Sequence, residues 1–315
     1  MPSTVVITTK NRREDVLKAI ASAACQTARP EVLVIDDGST DGTPEAVARE
    51  FPQARLERSD RSLGYISQRN RGVRLASAPI IFSIDDDAVF STSTVVEQTL
   101  QEFDQPRVGA VAIPFIEVNR SPKVMQQAPS PKGIFASYSF IGTAHALRRD
   151  LFLKLEGYRE ILFHQGEEED YCIRMLAAGY ITRVGRSDPI HHFESPRRSW
   201  TRMDFYGARN KVLYAWQNVP FPWVVGHLGG TSLQTMLRSF RPDRFWTRLR
   251  GVLSAYSLCI TGAAARQPVS RPIYRLSCHL RRHEAIACRE IEHLLCDPIP
   301  PCGMRTAGLG EAQRS

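Results

Sequence analysis

No run of about 20 apolar residues, the length a membrane-spanning helix needs, is uninterrupted in this chain. Val212 to Leu237 lacks Asp, Glu, Lys and Arg, but Pro220, Pro222, Gly226, Gly229 and Gly230 are expected to break it, and Gly251 to Ala265 is too short. A helical membrane span is therefore not expected. Cysteine pairs at CxxC spacing are also missing. The cysteines number seven, an odd count, which suggests reduced thiols in an intracellular protein. Cys278, Cys288, Cys296 and Cys302, taken with His279, His283 and His293, match no common structural zinc spacing. Nor is a secretory signal core visible, because Lys10, Arg12, Arg13, Glu14 and Asp15 follow the first strand-like run too closely. The expected place is the cytoplasm, either free or peripheral on the inner face of the cytoplasmic membrane. There is no internal repeat.

What is present is an ordinary globular composition with an uneven charge. Of 315 residues, 43% are hydrophobic and 23% charged, enough for a full core in one large or two smaller domains. The net charge of +8 divides sharply. Residues 1–196 hold 23 Lys and Arg against 26 Asp and Glu, whereas residues 197–315 hold 18 against 7. The basic part is almost all Arg, a composition suited to phosphates, anionic lipid or nucleic acid. Its Arg residues are scattered and accompany no nucleic-acid recognition motif, so nucleic acid is not expected as a partner.

Asp85-Asp86-Asp87 is the most informative stretch. It follows Ile80-Ile81-Phe82-Ser83-Ile84, which reads as a short buried strand. Three adjacent carboxylates at a strand end repel one another and need a counter-charge. A hard divalent cation such as Mg²⁺ or Mn²⁺ supplies one, and such cations also hold substrate phosphates. The alternative is a solvated acidic turn. Other segments favour the metal. Thr4 to Thr9 reads as a strand by its β-branched content, and Val32 to Ile35 as a second, ending in Asp36-Asp37-Gly38-Ser39. Between them Asn11 is placed to cap a helix with Val16, Leu17, Ile20 and Ala24 on one face. Thr43-Pro44 opens another helix, and Ile66 to Ala76 a third. Alternating strands and helices predict a parallel sheet, and ligands of such sheets bind beyond the carboxyl ends of the strands. Thr8-Thr9-Lys10, Asp36-Asp37 and Asp85-Asp86-Asp87 all fall at those ends.

Further along, Thr94 to Phe103 reads as a helix, Val108 to Ile113 as a strand, and Arg120 to Gly133 as a loop. Gly166-Glu167-Glu168-Glu169-Asp170 leads into a helix with Ile173, Leu176 and Ala177 on one face and Gly179 at its end. Acids in a first turn suit the helix dipole, but four in succession exceed what capping needs. Arg271 to Leu295 reads as helix.

Taken together, these segments resemble family 2 glycosyltransferases, inverting enzymes of the GT-A fold. The resemblance runs from Thr4 to about Asn210. Val34-Ile35-Asp36-Asp37-Gly38-Ser39-Thr40-Asp41 resembles the family's vDDgSxD motif, and Gln68-Arg69-Asn70-Arg71-Gly72 its aRNxG segment. Asp85-Asp86-Asp87 resembles DxD, and Gly166 to Tyr180 resembles gEDxDlxxRlxxxGy. The implied fold is α/β, Rossmann-like, with a mostly parallel sheet flanked by helices and a helical C-terminal region. The implied division is a catalytic domain over 1–205, an Arg-rich helical region over 206–297 and a disordered tail over 298–315.

The resemblance also implies roles. Thr8, Lys10, Asp36, Asp37, Asn70, Asp85 and Asp86 fall among the nucleotide-sugar contacts, with Asp37 accepting from the base. Asp85 and Asp87 take the outer DxD positions at the metal, and His192, next to His191, matches a further ligand. The catalytic base falls on Glu168, where the family has Asp; the extra methylene shifts its reach by about 1.5 Å. Asp170 is the second candidate for the base. The implied reaction moves a sugar from a UDP- or dTDP-linked donor to a hydroxyl of a glycan or lipid-linked acceptor, with Mg²⁺ or Mn²⁺.

Two other readings use the same residues. A nucleotidyltransferase also needs acidic metal ligands, but Thr8-Thr9-Lys10-Asn11-Arg12 is a poor triphosphate loop. A catalytically degenerate membrane-surface scaffold would rest on the Arg-rich region, yet acids stand at every motif. That region itself reads either as amphipathic helices lying on an anionic membrane or as a helical layer packed on the catalytic domain. Arg197 and Arg198 are candidates for phosphate contacts.

Overall fold

The computed structural model describes residues 1–194, 199–237 and 242–297. Arg197, Arg198, Cys302 and the tail from residue 298 lie outside the described residues. The chain begins with strand β1 (Ser3–Thr9), helix α1 (Arg13–Ala24), β2 (Glu31–Asp36), α2 (Thr43–Glu50), β3 (Arg55–Arg58), α3 (Tyr65–Leu75) and β4 (Ile80–Asp85). β1 pairs in parallel with both β2 and β4, and β2 with β3. Then come β5 (Ala88–Phe90), α4 (Val95–Gln101), β6 (Val108–Ala112), β7 (Phe115–Glu117), β8 (Val124–Met125), β9 (Phe135–Ser137), β10 (Ala144–Arg148) and α5 (Arg149–Lys154). After these follow α6 (Glu167–Ala177), β11 (Ile181–Val184) and β12 (Ile190–His192). The helical part comprises α7 (Trp200–Asn218), α8 (Trp223–Leu237), α9 (Pro242–Ile260) and α10 (Arg271–Arg282), and the described chain closes with β13 (Ile286–Ala287) and α11 (Cys288–Ile291).

The main sheet has nine strands in the order β13-β9-β11-β6-β10-β4-β1-β2-β3. β10 is inserted antiparallel between β4 and β6. A second sheet, β5-β12-β7-β8, joins short strands that leave the ends of the first. The alternation of a strand explains the two cores. Val5 and Ile7 of β1 pack with Val16 and Ile20 of α1 on one face, and Val6 packs with Ile66 and Val73 of α3 on the other. Each such fully buried side chain contributes about 1.5–3 kcal/mol. α3 lies so close to the sheet that a Cβ on Gly72 would stand 2.4 Å from Val6 Cγ1.

Three sequence expectations differ from the structure. Asn11 is not a cap: with φ 53°, it receives Thr40 N–H at Oδ1 and donates its own N–H to Ser39 Oγ, tying the end of β1 to the loop after β2. Gly226, Gly229 and Gly230 do not interrupt α8; the break falls earlier, at Val219–Pro222, where Phe221-Pro222 is cis. The single helix expected over 271–295 stops at Arg282, and β13 follows it, pairing antiparallel with β9.

The Arg-rich region packs on the catalytic part. Arg244 and Arg248 both donate to Asp204 of α7, Arg266 donates to the carbonyls of Trp216 and Val219, and Arg209 donates to Ile161 O. Arg281 pairs with Glu169 of α6. α9 approaches α7 closely at Gly251, where a Cβ would stand 2.4 Å from Phe205 O. Much of the excess positive charge is therefore engaged in holding helices together. Among the described residues no helix is long and apolar enough to cross a membrane.

Candidate active site

Parallel register assembles the site. It sets Thr8 beside Asp85 and Thr9 beside Asp36, so three strand ends meet at one edge. Thr9 Oγ1 donates to Asp86 Oδ2 at 2.9 Å, while Lys10 stands exposed beyond the strand. Asp36 is fully buried and receives Ser39 N–H at Oδ2; its Oδ1 has no hydrogen-bond partner. Asp37 is saturated. Its oxygens accept from Ser62 Oγ, Leu63 N, Gly64 N and Gln68 Nε2 at 2.5–3.2 Å. Burial raises its pKa, but these donors outweigh it and hold the carboxyl below its usual range. Asp37 thus fastens the 62–64 turn, rather than offering free lone pairs to a base as the resemblance implied.

The three acids after β4 face different partners. Asp85 is bound by Arg69 Nη2 at 2.5 Å and remains 32% exposed at its side chain. Arg12 Nη1 reaches both Asp86, at 3.0 Å, and Asp87, at 2.5 Å. Burial pushes Asp86 up to about 7, against the pull of Arg12. Asp87 Oδ1 lies 3.1 Å from His192 Nε2, and the second sheet explains why. β12 pairs with β5 and β7, and the amide of Phe193 donates to Asp87 O at 2.8 Å. The same register places Glu117 opposite His192, with its carboxylate 2.9 Å from Nδ1. Asp85, Asp87 and His192 offer ligand atoms that lie within 4.8 Å of one another. Two carboxylates and an imidazole oriented by a third carboxylate suit a divalent cation. Among the described residues this is the one such cluster.

The four acids at the start of α6 do four different things. Glu167 is fully buried and accepts from Arg69 Nη1 at 3.0 Å and from Tyr65 Oη at 3.2 Å. Glu169 turns outward to Arg281 and Tyr138. Asp170, 1% exposed, accepts from Arg159 at 2.5 Å, from Arg174 at 3.1 Å and from Asn218 at 2.8 Å. Glu168 differs from all three. Its side chain is 20% exposed, its nearest cation is Arg69 at 4.0 Å, and among the described residues it has no hydrogen bond to another side chain. A Cβ on Gly142 would stand 2.5 Å from Glu168 Oε1, so the loop before β10 closes directly over it. Burial, reinforced by the Glu167 charge, pushes its carboxyl well above the usual range. That is the condition of a proton acceptor near neutral pH.

Two expected site residues point elsewhere. Asn70 receives Tyr158 N–H and donates to Tyr158 O at 2.8 Å, beside a cavity of about 640 Å³ that Glu160, Arg174 and Gln267 also line. Neither Asp85, Asp87 nor His192 lines that cavity. Asp170 belongs to an internal ion-pair network. Asp170→Ala leaves two largely covered guanidinium groups short of a partner and is expected to cost about 3–5 kcal/mol of stability. A thermal melt of the variant checks this; an unshifted melting temperature with activity gone would return Asp170 to the reaction. Arg12, Arg69 and Glu117 are the residues sequence reasoning missed as site members.

Residues 4–158 match the sequence profile of the family described as Glycosyl transferase family 2. Succinoglycan biosynthesis protein ExoU of Rhizobium meliloti is 29% identical over 197 residues, which cover 56% of this chain and 57% of that protein. Validoxylamine A glucosyltransferase of Streptomyces hygroscopicus is 41% identical over 87 residues, 26% of this chain and 19% of that protein. The chain therefore spans little more than half of the first of these relatives and a fifth of the second. Among solved structures, the mannosyltransferase PcManGT from Pyrobaculum calidifontis in complex with GDP-Man and Mn²⁺ superposes with a TM-score of 0.56 at 20% identity, over 88% of this chain and 83% of that one. S. aureus TarS 1-349 in complex with UDP superposes with a TM-score of 0.57 at 15% identity, over 90% of this chain and 87% of that one. The strand-end acids, the order of the motifs and these likenesses agree: residues 4–158 belong to glycosyltransferase family 2, and the fold of the chain is GT-A.

Proposed function

We propose that this protein transfers a sugar from a nucleotide-sugar donor to an acceptor hydroxyl, with inversion at the anomeric carbon and with a divalent cation, Mg²⁺ or Mn²⁺, at Asp85, Asp87 and His192. The observation that carries the reading is the pairing of that cluster with one partly exposed carboxylate, Glu168, through the shared cation Arg69, which lies 4.0 Å from it. A cation bound there supplies charge neutralisation for a leaving diphosphate. Glu117 fixes the His192 ring so that Nε2 faces Asp87. Arg69 holds Asp85 with one nitrogen and Glu167 with the other, which engages Glu167 and leaves Glu168 to accept the acceptor proton. One base and no nucleophile is the requirement of a single displacement. The Asp36 and Thr8 strand ends, with Lys10 beyond them, are the proposed edge of the nucleotide pocket.

The donor is open to direct test. The solved structures of this fold carry GDP-Man and UDP, and UDP or dTDP is the expected carrier because those are common in the family. A thermal-shift screen of UDP-, dTDP- and GDP-sugars with Mn²⁺, with and without EDTA, is expected to show stabilisation by one nucleotide that EDTA removes. At a hundredfold excess over the dissociation constant the gain is about 2.7 kcal/mol. A flat response to every donor sinks the reading.

The proposal extends to peripheral contact with an anionic membrane, which would bring a lipid-linked acceptor within reach. Phe221, Val225, Leu233 and Leu237 at α8, with Trp246, Leu253 and Ile260 of α9, are each 58–84% exposed. Such a concentration on the basic part of a chain fits an interfacial surface. The protein is expected to sediment with anionic vesicles and to be released by salt; a protein that stays in the supernatant at low salt removes this extension.

A further inference from the structure

We infer that the rings of Phe163 and Tyr206 form the platform against which a sugar ring of the acceptor lies, with the Arg202 guanidinium over one face of Phe163. The inference rests on the transferase reading and names the acceptor's recognised part as carbohydrate. Phe163 belongs to the turn just before α6, at φ 58° and ψ −40°. That is an unfavourable backbone region for a bulky residue, and such positions persist where the surroundings hold them. The ring nonetheless remains 38% exposed. It lies against Gly64, where a Cβ would stand 3.2 Å from Phe163 Cε2, so glycine there is what lets the ring sit down on the turn that Asp37 fastens.

The platform is built into the wall of the site. Tyr206 lies 5.3 Å from Phe163, tilted by 31°, and the Arg202 guanidinium stands 5.4 Å over the Phe163 ring. His164 meets Tyr206 at 6.0 Å and Tyr65 at 5.4 Å, both edge-on. Tyr65 carries the Arg69 guanidinium on its ring at 4.8 Å and donates to Glu167, the neighbour of Glu168. A continuous run of rings therefore leads from solvent to the acid pair. Leu63 and Ile141, 41% and 48% exposed, belong to the turn and the loop that flank it. An exposed ring and a half-buried one, with guanidinium groups against them and a run of rings leading to the acid pair, suit a ligand with an apolar C–H face and a rim of hydroxyls, which is a pyranose.

Ligand-observed saturation-transfer NMR tests this with methyl hexopyranosides and methyl 2-acetamido-hexopyranosides, in the presence of Mg²⁺ and UDP or GDP. At least one glycoside is expected to bind. Phe163→Ala, Phe163→Leu and Tyr206→Ala are each expected to weaken it by about tenfold or more, with nucleotide affinity within about twofold of the unaltered protein. Retained nucleotide affinity reports that the variants are folded. No glycoside bound, or binding indifferent to all three substitutions, overturns the platform. Binding of octyl but not methyl glycosides overturns it too, because the rings would then hold an alkyl chain. Absence of nucleotide binding in the unaltered protein counts against the transferase reading alone, since a glycoside lost with the rings still marks the platform.

Discussion

Glu168→Gln is expected to lower turnover by about 10²–10⁴-fold while donor affinity stays unchanged. The amide keeps the shape that fits beneath Gly142 but cannot take a proton. Asp85, Asp87 and His192 are untouched, so the donor side keeps its ligands. The proton balance adds a second readout. The Glu168 carboxyl is raised by burial and by the Glu167 charge, so the folded protein holds this proton at pH values where the unfolded chain has released it. Stability therefore falls as pH rises from the ordinary carboxyl value towards the raised one. Glutamine removes that penalty, and the variant is expected to melt higher than the parent above the ordinary carboxyl range. The parent's acidic activity limb should lie above about pH 4.3, the unperturbed glutamate value. Rates, nucleotide titration and melting curves on the same two proteins check all three. Full activity in Glu168→Gln would move the base to another group.

Asp87→Ala is expected to abolish nucleotide binding that depends on metal. Asp87 is both a candidate ligand and the acceptor that receives Arg12 and faces His192, so its loss removes an oxygen and loosens two neighbours. Glu117→Ala provides the graded companion. It leaves every candidate ligand in place and removes only the carboxylate that orients the imidazole. Its expected effect is a loss of about 10–100-fold in metal affinity. Calorimetric titration of Mn²⁺, followed by nucleotide with and without EDTA, separates the two variants. Nucleotide affinity in Asp87→Ala that equals the parent's, and that ignores EDTA, would remove the metal from this site.

Which parts of the site were legible follows from where each residue's signal lies. Asp36, Asp85 and Asp87 were readable because each closes an apolar run, and parallel strands bring such ends together. His192 was readable by its spacing in the family resemblance, whereas its partner Glu117 was not. Glu117 lies 75 residues away and meets His192 only through the pairing of two three-residue strands. Arg12 reads only as part of a poor triphosphate loop, and Arg69 only as part of the aRNxG-like segment. Their reach to Asp86 and Asp85 depends on the packing of α1 and α3 against the sheet. Asn70 and Asp170 differ in the opposite direction, being engaged inside the protein. Both sit inside motifs, but Asn70 is turned to the Tyr158 backbone, and Asp170 is held among Arg159, Arg174 and Asn218. The α8 glycines were misread because propensity alone was weighed. A helix with a backbone partner on one side tolerates glycine on an open face, and a Cβ at any of the three would meet nothing within 4 Å.

The pairing of β13 with β9 has a consequence for where the chain can be cut. The helical region returns Ile286 and Ala287 to the outermost rung of the catalytic sheet. A chain ending before them would leave the amides and carbonyls of Phe135–Ser137 as an open edge, able to template another copy of the same sheet. The last part of the sequence therefore acts as a terminator for the first. The boundary near residue 205 that the resemblance implied would divide a sheet from its own edge guard.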